Sequence, residues 1–206
     1  NHRLRSPEEI AINAGATVTR LQLPEADVFA QRALRLRQLA AGHAMRDYLL
    51  LMAVVCEAQD ARLKHYPAVP LPTAEQADAA SQAGDPLLDV SRWQRAAAWR
   101  SELRALLTQV LAKLPADNPA RAGVQAVLAM DDTALEQQAD RLLAGITLGL
   151  DMAAAPLIAA GLQLYWTHLV QATAEALPNP YGYTRDPTRC PCCASLPTAS
   201  ITRVGG

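Results

Sequence analysis

The sequence predicts an all-α protein, on three observations. Of its 206 residues, 41 are Ala and 30 are Leu, the strongest helix formers. Val and Ile are sparse, so little of the chain favours strands. Apolar residues recur at helical spacing between recognisable capping signals. Half the residues are hydrophobic and 19% are charged, which excludes wholesale disorder. The length suits one core, or a domain with a small appendage.

Ser6-Pro7-Glu8-Glu9 reads as a helix start: Ser as N-cap, Pro in the first turn, Glu9 placed for a capping box. A short helix to about Asn13 follows. A second helix is expected over 25–41, with Phe29, Ala33, Leu36 and Ala40 on one face and Arg32, Arg35 and Gln38 on another. Gly42 ends it. A third helix is expected over 45–66, stopped by Pro67; its centre, 48–56, is almost wholly apolar, as in a helix surrounded by others. Residues 67–72, with three prolines, form a stiff connector. Thr73 with Gln76 opens a short polar helix to about Gln82, and Gly84-Asp85-Pro86 is a turn. Helices over 92–114 and 119–130 come next, the latter opened by Asn118-Pro119. Asp131-Asp132-Thr133 opens another to about Ala144. The last helix is expected over 152–177, kinked at Pro156. No repeat of fixed period is present, so a solenoid is not expected.

At Pro178 the composition changes. Five prolines, Pro178 included, and two tyrosines lie from there to Gly206, and 198–204 alternates weakly like a strand. The expected organisation is a helical domain, 1–178, and the beginning of a second, small module, 179–206.

Charge and composition narrow the function. The net charge is −1, so no strong positive field exists to hold nucleic acid or an anionic membrane. Aromatics are 4%, leaving few stacking platforms for single strands. Residues 152–174 carry no Asp, Glu, Lys or Arg and are long enough to span a bilayer. Their Ala content, with Pro156, Gly161, Gln163, His168 and Gln171, favours a buried core helix instead. No secretory signal opens the chain: His2, Arg3, Arg5, Glu8 and Glu9 precede any apolar run. No Gly-rich phosphate loop, nucleophile elbow or His-Glu metal motif occurs, so the leading reading is not an enzyme.

The sharpest chemical signal is Cys190-Pro191-Cys192-Cys193. Two thiolates separated by two residues, Cys190 and Cys193, can bind one metal, and a structural zinc site commonly uses two such turns. Three explanations stand. The chain is a fragment whose continuation supplies the other ligands; the turn carries no metal; or a site is completed by Cys192, Cys56, a His or a second subunit. A redox-active pair would need a lowered thiol pKa, usually at a helix N-terminus, and no helix is expected after Cys193. Bunched rather than paired cysteines point to a reducing compartment.

The other candidates have plainer readings. Cys56 is a small core residue and His168 a hydrogen-bonded core histidine, while His43 and His65 flank helix ends. Arg32, Arg35, Arg37 and Arg46 form a basic face that is either solvated or an anion contact. Asp131 and Asp132 suit a helix N-terminus better than a carboxylate pair.

Four stretches resemble a known family, the accessory proteins of respiratory formate dehydrogenase called FdhE. They are residues 32–40 (Arg32-Ala33-Leu34-Arg35-Leu36-Arg37-Gln38-Leu39-Ala40), Asp47-Tyr48-Leu49, Leu162-Gln163-Leu164-Tyr165-Trp166, and 189–197 around the cysteine turn. The resemblance implies a helical domain followed by rubredoxin-like (zinc-ribbon) modules. In such modules several Cys-x-x-Cys turns hold iron or zinc. Only one turn is present here, with Cys190 and Cys193 at the ligand positions and Cys192 outside the pattern. The resemblance further implies a cytoplasmic assembly factor that binds the catalytic subunit of formate dehydrogenase and is needed for its maturation and activity. An iron redox protein of rubredoxin type and a generic helical interaction domain are the alternatives.

Overall fold

The structure, a computed structural model, describes residues 21–182 and 184–197. Among these it contains seven helices and no strand: α1 Val28–Ala40, α2 Arg46–Leu63, α3 Ala74–Ala83, α4 Ala98–Lys113, α5 Ala120–Leu128, α6 Asp132–Ala144 and α7 Ala155–Ala176. The all-α expectation holds. The short helix after Ser6 and the strand over 198–204 lie outside the described residues.

Helix α7 is the axis of the core. Twelve of its residues are buried, and it packs against α2, α4 and α6. Trp99, Tyr165, Phe29 and Leu103 are among the largest fully buried side chains. This explains the uncharged run over 152–174: α7 has protein on nearly every side. No helix among the described residues is long and apolar enough to cross a membrane.

The local signals mostly do what their chemistry requires. The Thr73 hydroxyl accepts from the Gln76 amide, and the Gln76 side chain accepts from the Thr73 amide, closing a capping box. Asp131 caps α6 by accepting from the Ala134 amide at 2.7 Å. Asn118 accepts from the Ala120 amide at the start of α5. Pro156 does not kink α7. It stands in the first helical turn, where no intrahelical amide bond is lost. The residue that opens this helix is Asp151, whose carboxylate accepts from the amides of Ala153 and Ala154.

The largest departure from expectation is the start of α4, at Ala98 rather than near Arg92. Residues 88–97 form local turns on Asp89 and are tied to distant partners. The Leu88 and Val90 amides donate to the carbonyls of Cys192 and Cys193 at 2.9 and 3.0 Å. The Trp93 indole and the Ala96 amide both donate to the Tyr165 hydroxyl.

Candidate functional site

The cysteine turn is built by its own backbone. The Cys190 amide donates to Ser195 O and the Ala194 amide to Cys190 O, both at 2.9 Å. The loop therefore closes on itself. Closing it requires Ala194 to adopt φ +63°, the left-handed region that favours glycine. The Arg189 guanidinium adds a bond to Ala194 O at 3.0 Å. Through Leu88 and Val90 the turn is docked on the helical domain. Cys192 is 4% exposed within the core, whereas Cys190 and Cys193 are half-buried at its edge.

None of the four cysteines forms a disulfide. The facing thiols of Cys192 and Cys193, with the backbone amides of those residues, favour the Cys190 thiolate and pull its pKa far down. Cys192 and Cys193 are pushed up by hydrogen bonding to the Cys190 thiolate and by burial. Cys193 also has a partner in the Ser195 hydroxyl, at 3.2 Å. Among the described residues no group of three or more His, Cys, Asp or Glu side chains is placed to hold a metal ion. The donor set present, two thiols a turn apart with one favoured as thiolate, fits half of a tetrahedral site.

Beside this turn lies a cavity of about 410 Å³ between α1, α6 and α7. Phe29, Leu142, Leu162, Trp166 and Val90 supply apolar walls, and Arg32, Gln163, Cys193 and Ser195 supply polar groups. The Arg32 guanidinium donates to Gln163 Oε1 at 2.9 Å and lies 5.4 Å from the centre of the Phe29 ring. The Trp166 indole is fixed by a 3.1 Å bond to Leu88 O. A hollow of about 660 Å³ shares Val90 and Leu143 with this cavity. Its charges satisfy one another: Arg95 and Arg100 pair with Glu136, and Arg95 also pairs with Asp140.

The remaining sequence candidates separate. Cys56 is buried and burial pushes its thiol up. His168 stacks on Tyr66 with ring centroids 4.4 Å apart, and burial lowers its pKa. His43 Nδ1 accepts from the Met45 amide ahead of α2. Within the basic face, Arg37 pairs with Glu57 and Arg46 with Asp47, whereas Arg32 and Arg35 bond to the amides of Gln163 and Gln38. Asp132 pairs with Arg100 and Arg104. Sequence reasoning did not assemble Arg32, Gln163, Trp166 and Cys193 into one site. The available signal was that all four fall in the stretches that carry the family resemblance.

An all-helical domain with one Cys-x-x-Cys turn docked at the edge of its core is the class this geometry defines. A family model described as FdhE, N-terminal, matches residues 18–182, most of the chain. The chain belongs to the FdhE family. It is 38% identical over 200 residues to a protein FdhE homolog of Pseudomonas aeruginosa, covering 95% of this chain and 62% of that protein. A Klebsiella pneumoniae protein FdhE homolog is 30% identical over 179 residues, covering 87% and 56%. The crystal structure of the FdhE protein from Pseudomonas aeruginosa superposes with a TM-score of 0.71 at 32% identity, covering 87% of this chain and 61% of that one. The chain thus spans less than two thirds of the length of these relatives.

Proposed function

We propose that this chain is the helical part of a cytoplasmic accessory factor that binds the catalytic subunit of formate dehydrogenase and supports its maturation, without turning over a substrate. The observation that carries this reading is convergence. Three of the four family-like stretches, the first more than a hundred residues from the other two, meet at one cavity through Arg32, Gln163, Trp166, Cys193 and Ser195. A second observation supports a protein partner. The loop between α6 and α7 exposes Ile146, Leu148 (86% exposed) and Met152. Its backbone is held by Arg141 on Leu148 O and by Gln138 on Gly149 O and the Asp151 amide. Apolar side chains displayed on an anchored loop suit a protein contact.

In the same reading residues 179–206 begin a rubredoxin-like module, and Cys190 and Cys193 supply two of four thiolate ligands to iron or zinc. Such an ion would serve to hold the module together. Co-purification with the formate dehydrogenase catalytic subunit tests the main reading. Retention by the wild-type chain, lost in Leu148→Asp/Met152→Asp with an unchanged melting temperature, is the expected result. No retention by a full-length relative with all its cysteines intact would overturn it.

A further inference from the structure

We infer that the cavity formed by Phe29, Arg32, Leu162, Gln163, Trp166 and Cys193 is a binding site for a protein segment pairing an apolar side chain with a carboxylate. Size and lining set the first half of that statement. A hollow of about 410 Å³ with mostly apolar walls and a few convergent polar groups has the build of a ligand site rather than of a packing defect. Charge sets the second half. Among the described residues Arg37, Arg62, Arg92, Arg95 and Arg100 each hold a carboxylate. Arg32, at the cavity, bonds to a neutral amide, and so does Arg35 three residues along α1. An amide occupies one edge of the Arg32 guanidinium, and no carboxylate among the described residues compensates its charge, so an incoming carboxylate gains a charge-assisted bond.

The site is also preorganised. Gln163 positions Arg32, the bond to Leu88 O fixes Trp166, and the closed cysteine turn fixes Cys193. A ligand therefore meets walls that are already ordered, which lowers the entropic cost of binding. The occupant is a segment of another protein, not a second copy of this chain.

The probe is a short fluorescein-labelled peptide of alternating leucine and aspartate, titrated with the whole chain and read by fluorescence anisotropy. Saturable binding that weakens with added salt is expected. Arg32→Gln should weaken it about tenfold, and so should replacing aspartate by asparagine in the peptide. Thr167→Trp, which fills the cavity from its rim, should abolish binding, while Arg92→Gln, an equal loss of charge elsewhere, should leave it unchanged. Near-ultraviolet circular dichroism checks that each variant is folded. Several outcomes would overturn the inference: no saturation, equal affinity for the asparagine peptide, or equal weakening by Arg92→Gln. So would a homodimer dissociated by Arg32→Gln, which would give this face to a second copy of the chain.

Discussion

The Trp166 indole donates to the carbonyl oxygen of Leu88 at 3.1 Å, and the amide of the same Leu88 donates to Cys192 O at 2.9 Å. Leu88 thereby joins the central helix to the cysteine turn through its two backbone groups. Replacing Trp166 by Phe keeps most of the apolar volume but leaves a buried carbonyl without this donor. The expected cost is about 1–3 kcal/mol. At roughly 2–4 °C per kcal/mol for a chain of this size, the melting temperature should fall measurably. Faster alkylation of Cys193 in the variant would show that the turn loosens with it. An unchanged melting temperature would mean that the bond carries no net stability.

Why the turn docks where it does was not legible in the sequence, although the turn itself was. Thr73 with Gln76 and Asp131 with Ala134 were readable as caps because cap and partner lie three residues apart. Cys190 and Cys193 were readable because their spacing is itself the signal. Residues 92–97 look like the first turns of α4, but the Trp93 indole and the Ala96 amide are committed to Tyr165, about seventy residues away. No local pattern announces that commitment. The cavity was hidden for the same reason: Arg32 and Gln163 are 131 residues apart, and each alone reads as an ordinary exposed polar group.

Close approach between α4 and α7 turns on Gly161. A Cβ added there would meet Leu103 Cδ1 at 2.8 Å and its Cβ at 3.0 Å, and Leu103 Cβ is fixed to its helix. Gly161→Ala gains about 1 kcal/mol of helix propensity. It then incurs overpacking of about 1–3 kcal/mol. A net loss near 1 kcal/mol is expected in urea unfolding. Gly123 in α5 faces open space, so Gly123→Ala should instead stabilise, by about 0.5–1 kcal/mol. Stabilisation by both substitutions would contradict the tight α4–α7 contact.

Glu136 gathers donors from Arg95, Trp99 and Arg100. Burial opposes its ionisation, but these hydrogen bonds outweigh it and hold the carboxyl below the usual range. A depressed folded pKa stabilises the fold above the unfolded value, about 4.3. That contribution is lost as the pH falls through the lower, folded value. The urea midpoint of the wild type should therefore drop on acidification below about pH 4.3. Glu136→Gln should be less stable at neutral pH, by about 1–3 kcal/mol, because Arg95 and Arg100 lose their shared anion. Its midpoint should also fall less steeply with acid. Parallel profiles for the two proteins would show that Glu136 titrates alike in the folded and unfolded states.

The cysteines divide by exposure in a way that alkylation can read. Cys190 and Cys193 are half-buried at the edge of the core, while Cys192 and Cys56 are 4% and 2% exposed. A maleimide added to the native, metal-free chain should modify Cys190 first and Cys193 more slowly, because the Cys193 thiol is held protonated, and should reach the other two only after unfolding. Peptide mapping by mass spectrometry assigns the sites. The division also separates two kinds of loss on mutation. Cys190→Ser or Cys193→Ser removes an edge thiol and should change the melting temperature of the metal-free chain little. Cys192→Ser exchanges a buried thiol for a more strongly hydrated hydroxyl in the core and should lower that temperature, burial of the added polarity costing about 1–3 kcal/mol. Rapid native labelling of Cys192 would place its side chain outside the core and remove the distinction.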